Sequence, residues 1–254
     1  MTRRLVIPCL FLMGFVCSVL SAAEPFDLVI RNGRIVDGTG NPWFYGDLAI
    51  RGKRIVAVGQ ISADAPSKQV IDATGLVVSP GFIDIHSHSD TLLLEDGSAH
   101  SKIRQGVTTE VLGEADSAGP ASGQLPVRKQ VVGDRTLQWK TLGEYFDTLD
   151  REGIAVNVAS YVGLGTVWRC VMGDSFERPR PEQLAQMRVL VRQAMSDGAM
   201  GLSSMLAQPP CSLATVDDVV ELCREVALSG GIYSTHIRNE GSGVFDAVKE
   251  VIEI

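Results

Sequence analysis

Two histidines separated by one residue, His86-Ser87-His88, close the stretch Val78-Ser79-Pro80-Gly81-Phe82-Ile83-Asp84-Ile85. Read as a buried strand over Phe82–His88, this stretch alternates its faces with period two, so both imidazoles point the same way. Imidazole nitrogens framed by the carboxylates of Asp84 and Asp90 suit a divalent metal such as zinc. A bare His-x-His is also what two polar residues at a strand end look like, so the rest of the chain must decide. Only four histidines are present. His236 ends a second apolar strand, Ile232-Tyr233-Ser234-Thr235, and is followed by Arg238 and Glu240. His100 lies in the polar run after Asp96 and reads as a surface residue.

The elements that must position these groups follow from the pattern. From Pro80 onward, apolar strands alternate with helix-length segments. Val107–Gly113 is a second strand, rich in β-branched residues. Residues 114–137 read as one long loop of Gly, Ser, Pro and polar residues. Thr141 with Glu144 forms a capping box for a helix to about Glu152. A third strand spans Ile154–Gly163. Pro181 opens a helix as its first residue, and Met200–Met205 is a fourth strand. Thr215 caps the next helix, Gly230-Gly231 ends it, and Ile232–His236 is the fifth strand. Another amphipathic helix starts at Val244. Strand and helix in alternation imply βα units on a parallel sheet. The candidate ligands fall at C-terminal strand ends, where both (β/α)8 barrels and doubly wound sheets place their ligands.

Before Pro80 the texture differs. Short alternating strands with Gly-bearing turns every 8–12 residues are an all-β signature. Asn32-Gly33 reads as a turn between Phe26–Ile30 and Arg34–Val36. Arg51-Gly52-Lys53 reads as a turn before Arg54–Gly59, and Thr74-Gly75 as the turn of a hairpin joining Val70–Ala73 to Leu76–Val78. A sheet this small needs a partner to cover its apolar face.

The chain has 254 residues, 45% hydrophobic and 21% charged, with a formal charge of −7. The negative balance, without any basic run, argues against a nucleic-acid partner. Residues 1–23 read as an export signal. Arg3 and Arg4 precede an apolar run from Leu5 to Leu20 and the small residues Ser21-Ala22-Ala23. The run is short for a membrane span and contains Pro8, so no stable span is expected after signal cleavage. Cleavage after Ala23 would take the formal charge from −7 to about −9. The mature chain is expected in the periplasm or outside the cell. Cys170, Cys211 and Cys223 remain in it, at spacings that match no zinc ribbon.

These stretches resemble the metal-dependent amidohydrolases, most closely the N-acyl-D-amino-acid deacylase (D-aminoacylase) branch. The resemblance rests on Asp37-Gly38-Thr39-Gly40, on Val78–His88, and on Gln105-Gly106-Val107-Thr108-Thr109 with Gly113. Gly201-Leu202-Ser203-Ser204 and Gly231–Glu240 complete it. It implies an α/β fold of (β/α)8 TIM-barrel metallo-hydrolase type with its first five βα units in residues 80–254. Residues 24–79 would then be the N-terminal part of a small β-sandwich. It implies that His86, His88 and His236 bind one or two divalent ions, most simply Zn2+. At the position of the family's thiolate ligand stands Ala115; either Glu114 substitutes as an oxygen ligand, with Asp116 next in line, or both are solvated loop carboxylates. Asp84 either orients an imidazole or bonds to backbone. Arg238 and Glu240 either reach the site or form a salt-bridged loop. The reaction implied is hydrolysis of a linear or non-peptide amide C–N bond, the deacylation of N-acyl-D-amino acids, on a small-molecule acyl-amide substrate. A bound ion lowers the pKa of water to about 7 and polarises the amide carbonyl. The family's acid/base aspartate is expected beyond Ile254, which makes the chain read as an N-terminal fragment, inactive alone. Two alternatives stand. One is a cyclic-amide hydrolase of hydantoinase or dihydroorotase type, weakened because the fourth strand has no lysine to be carboxylated. The other is a non-catalytic truncated remnant.

Overall fold

The structure, a computed structural model, describes residues 24–254; the expected export signal over residues 1–23 lies outside them. The chain divides into two compact units, one up to Pro80 and one over Gly81–Ile254.

The first unit is a five-stranded sheet built on β1 (Leu28–Ile35). Strand β2 (Phe44–Arg51) pairs antiparallel with it, and β3 (Arg54–Gly59) pairs antiparallel with β2 across the turn at Gly52. Asn32-Gly33 does not reverse the chain. The residues flanking Arg31-Asn32 pair with the same strand, Ile30 with Leu48 and Gly33 with Gly46, so Arg31-Asn32 form a bulge opposite Asp47 inside one strand. Asn32 takes a left-handed φ of 61°, and its N–H donates to Asp47 Oδ1 at 2.9 Å. Asp47 Oδ2 accepts from Arg31 Nη1 at 3.2 Å, so one carboxylate holds the bulge from both ends. The expected hairpin at Thr74-Gly75 is also absent. Strands β4 (Val70–Asp72) and β5 (Val77–Val78) each pair in parallel with β1. Both flanks of that turn thus prefer the free edge of β1 to each other. Val29, Ile35, Ala49 and Ala73 are buried, whereas Val58, Val70 and Val77 are exposed.

The second unit begins with β6 (Phe82–Asp84), followed by two single-turn helices, α1 (Leu92–Glu95) and α2 (His100–Ile103), and by β7 (Val107–Leu112). The segment after β7 is less irregular than its composition suggests. It contains the hairpin β8 (Arg128–Val132) and β9 (Arg135–Trp139), turned at Gly133 with φ 61°. Helix α3 (Leu142–Glu152) carries the expected capping box: Glu144 N–H donates to Thr141 Oγ1 at 3.1 Å. Strands β10 (Asn157–Ser160) and β11 (Val162–Gly163) form one line broken at Tyr161. Helix α4 (Leu164–Met172) has no clear sequence signal, because Gly165, Thr166 and Val167 are poor helix formers. Burial on nearly every side sustains it. Helix α5 (Pro181–Ser196), β12 (Gly201–Met205), α6 (Val216–Leu228), β13 (Ile232–His236) and α7 (Val244–Glu253) follow as the pattern indicates.

Apart from the β8–β9 hairpin, the strands of this unit lie side by side in chain order and in parallel: β6 with β7, β7 with β10, β11 with β12, β12 with β13. Tyr161 N–H donates to Leu112 O, and Met200 N–H donates to Ser160 O, which stitches the break between β10 and β11. The core lies between these strands and the helices. Leu112, Val162 and Leu202 from the strands meet Tyr145, Trp168, Met187 and Leu222 from the helices. Each such large apolar side chain contributes roughly 1.5–3 kcal/mol on burial, enough to outweigh the poor propensity of α4. No helix among the described residues is long and apolar enough to cross a membrane.

Candidate metal centre

Strand β6 is shorter than the alternation indicates. It ends at Asp84, and His86 and His88 lie beyond it. They converge nonetheless: His86 Nε2 and His88 Nε2 are 3.1 Å apart. Two ligands on one tetrahedral ion with bonds of 2.0–2.1 Å stand about 3.3 Å apart, so this spacing suits a shared cation. Backbone pairing outlasts the strand at one point, where Ser87 N–H donates to Val111 O at 3.0 Å.

Glu114 follows β7 through an unusual backbone. Gly113 has φ 80° and Ala115 has φ 60°, so the chain turns left-handed on both sides of the carboxylate. A side chain at position 113 would meet Tyr161 O at 2.3 Å, which only glycine avoids. Ala115 has no such excuse. Left-handed alanine costs of order 1 kcal/mol or more and persists only where its surroundings over-determine it. Here Ser203 does so, accepting from Ala115 N–H at 3.0 Å and donating to Gly113 O at 2.5 Å. The Glu114 side chain is buried, and Ser234 Oγ donates to its Oε2 at 3.4 Å. Asp116 is held away in an ion pair with Arg169.

His236, the last residue of β13, completes the set. Its ring centroid lies 5.1 Å from that of His86. One donor atom each from His86, Glu114 and His236 lies within 4.8 Å of the others. Two imidazoles and a carboxylate are an ordinary donor set for a divalent transition metal. Glu240 Oε1 stands 3.3 Å from His236 Nδ1; a proton held there leaves Nε2 as the free ligand atom.

The remaining candidates fall elsewhere. Asp84 does not touch an imidazole: its Oδ2 takes Lys102 Nζ at 2.5 Å, and its Oδ1 accepts from the His86 backbone N–H at 3.2 Å. Arg238 turns away to Glu250, with 2.7 Å between Nη2 and Oε1, and donates to Ser212 O and Ala214 O. It braces the loop after β13 instead of facing the donors. His100 is exposed, as expected.

Several groups around the centre escape the motif. Burial pushes the Asp90 carboxyl up to about 6, against the opposing pull of the charges on His88 and Arg128. The phenol of Tyr161 is raised by burial, with the charge of Glu114 adding to the effect. Behind the histidines, Glu110 lies fully buried in β7. One signal was available for it: a carboxylate among Val107, Thr108, Thr109, Val111 and Leu112 breaks an otherwise apolar and β-branched run. His88, Glu114, Ala115, Asp116, Met205 and Cys211 line a cavity of about 210 Å³. A larger one, about 550 Å³, lies among Phe146, Ile154, Asn157 and Gly198 at the N-terminal end of β10. It holds none of the converging donors, so chemistry and not size locates the site.

Comparison with known proteins finds relatives over most of this chain. The amidohydrolase family model matches residues 69–235. The D-aminoacylase of Alcaligenes xylosoxydans xylosoxydans is 38% identical over 237 residues, covering 92% of this chain and 49% of that protein. The crystal structure of N-acyl-D-glutamate deacylase from Bordetella bronchiseptica, complexed with zinc and a phosphonate inhibitor, has a TM-score of 0.81 and 34% identity. It covers 90% of this chain and 48% of its own. A D-aminoacylase structure with a binuclear metal centre has a TM-score of 0.79 and 35% identity, over 89% of this chain and 48% of its own. The chain spans about half the length of the curated relatives it matches.

Proposed function

This chain belongs to the amidohydrolase family, and we propose that the intact protein deacylates N-acyl-D-amino acids at a divalent metal held by His86, His88, Glu114 and His236. The observation that carries the proposal is the convergence of His86, Glu114 and His236, residues far apart in sequence, at the ends of parallel strands. The relatives described above act on that substrate class, and the donor set fits zinc.

A divalent ion at such a site supplies Lewis acidity toward an amide carbonyl and acidifies water. The side chains of this chain do the positioning. Glu240 fixes the ring of His236 through Nδ1. Ser234 holds one oxygen of Glu114. The carboxylate of Glu114 would offset cationic charge in a buried place, which the methyl group of the neighbouring Ala115 could not do. The phenol of Tyr161, a hydrogen-bond donor at neutral pH in any setting, is pushed further from ionisation by burial.

In this reading β6, β7, β10–β11, β12 and β13 are the first five strands of a (β/α)8 barrel in residues 80–254, and residues 24–79 are part of a β-sandwich. Parallel pairing in chain order supports the former. The exposed apolar residues of the first sheet support the latter. Residues 1–23 are an export signal, supported by their charge and apolar pattern, so the protein works in the periplasm or outside the cell.

The test is release of free D-amino acid from N-acetyl-D-amino acids by the intact protein, before and after chelation and again after Zn2+ is restored. Activity that disappears on chelation and returns with metal is expected. Hydrolysis of cyclic amides alone, or activity indifferent to chelation, would sink the proposal.

A further inference from the structure

We propose that Glu110 is a positioning residue for the metal centre, holding His86 and His88 on one side of their loop through the hydroxyls of Ser87 and Ser89. The inference rests on the metal-binding reading above and concerns residues outside its donor set.

The need for such a device comes from β6. Its regular pairing ends at Asp84, so strand alternation no longer dictates where residues 86 to 89 point. Yet His86 and His88 meet at 3.1 Å. The residues that alternate with them are both serines, and both donate to the same oxygen. Ser87 Oγ reaches Glu110 Oε2 at 2.5 Å, and Ser89 Oγ donates to that atom too. The two hydroxyls also lie 2.8 Å from each other. A single carboxylate oxygen therefore gathers residues 87 and 89 on one side. The intervening histidine is left to face the other way, together with His86.

The carboxylate is built in and not incidental. Glu110 has no exposed surface, and its second oxygen, Oε1, is buried without a hydrogen-bond partner. Such a group is costly unless its charge is compensated. Lys102 supplies the compensation, with Nζ 3.6 Å from Glu110 Oε2, 3.3 Å from Ser87 Oγ and 2.5 Å from Asp84 Oδ2. Asp84 in turn accepts from the His86 backbone N–H. The network thus grips the loop at residues 86, 87 and 89. Partners of this kind that orient metal ligands are worth typically 10–100-fold in metal affinity.

The test measures metal binding on the intact protein, with Zn2+ in competition against a chromophoric chelator and with Co2+ read by its visible spectrum. Ser87→Ala combined with Ser89→Ala keeps Glu110 and Lys102 in place and removes the hydroxyls through which Glu110 holds the loop. This double variant should bind Zn2+ about 10–100-fold more weakly and show an altered Co2+ spectrum at saturation. Glu110→Gln, which keeps an accepting oxygen, should lose less, and it serves as the second measurement if the double variant does not fold. His86→Ala should lose binding by a larger factor than either. A double variant or Glu110→Gln that melts earlier without metal, yet keeps wild-type affinity and spectrum, would overturn the positioning role while leaving the metal centre standing. A wild-type protein that binds neither ion, or an indifferent His86→Ala, would overturn the centre and this inference together.

Discussion

At the scale of single residues, the loop after β7 and the loop after β13 each present two charged residues, and geometry separates them. Glu114 is buried beside His86 and His236, whereas Asp116 is paired with Arg169. Glu240 touches His236, whereas Arg238 grips Glu250 and two backbone carbonyls. Substitutions should divide accordingly. Glu114→Gln keeps the shape but removes the charge, and Zn2+ affinity should fall at least about tenfold, with little change in the melting temperature of the metal-free protein. Arg238→Ala should do the reverse. It leaves the largely buried Glu250 carboxylate and two carbonyls without their donor, a loss of roughly 1–3 kcal/mol, with metal affinity unchanged. Parallel titrations and thermal melts on the two variants would check the division.

At the scale of elements, helices α5 and α6 are joined by a buried carboxylate. Glu225 of α6 is only 1% exposed and takes both Arg188 and Arg192 of α5, at 2.6 and 2.9 Å. Arg192, and then Arg188, hold its carboxyl below the ordinary carboxylate range, although burial pushes the other way. Folding therefore favours the ionised form. Its contribution is complete above the ordinary pKa of about 4.5 and is lost as pH falls through the depressed value. Glu225→Gln should lower stability at neutral pH, and the deficit should shrink on acidification. Urea unfolding of both proteins at about pH 7 and about pH 3.5 would measure this; a constant difference would show that the pair is not what titrates.

At the scale of the molecule, the proposed ligands tie together chain segments that are far apart: His86 after β6, Glu114 after β7 and His236 at the end of β13. A ligand that binds only the folded state stabilises the whole unit by mass action. Zn2+ at about 100 times its dissociation constant should add about 2.7 kcal/mol and raise the melting temperature, and chelation should reverse it. The second unit should respond, because all of these donors belong to it. A melt unaffected by Zn2+ would count against a folded-state site.

The alternation of strands and helices from Pro80 onward, the caps at Thr141 and Thr215, and His236 at the end of its strand were legible in the sequence because they depend on local patterns: hydrophobic period, cap chemistry and spacing. The spatial reading of several features was not, these three among them. Asn32-Gly33 has the composition of a hairpin turn, yet pairing of both flanks with β2 places it at a bulge. The stretch after Gly113 has the composition of a loop, yet it holds β8 and β9. Glu110 interrupts a β-branched strand with a charge, and only the structure shows it buried beneath the histidine loop. For Asn32-Gly33 and Glu110 the outcome depends on a partner distant in the chain, whereas β8 and β9 pair with each other across the turn at Gly133. The sequence by itself determined which residue types could ligate a metal and that they lie at or shortly after strands: His236 ends β13, whereas His86 and His88 follow β6 and Glu114 follows β7. Only the tertiary structure decided that His86, Glu114 and His236 meet, that Asp84 and Arg238 are engaged elsewhere, and that the histidine pair holds its direction after its strand has ended. Distances between remote side chains are set by packing, and no local pattern encodes them.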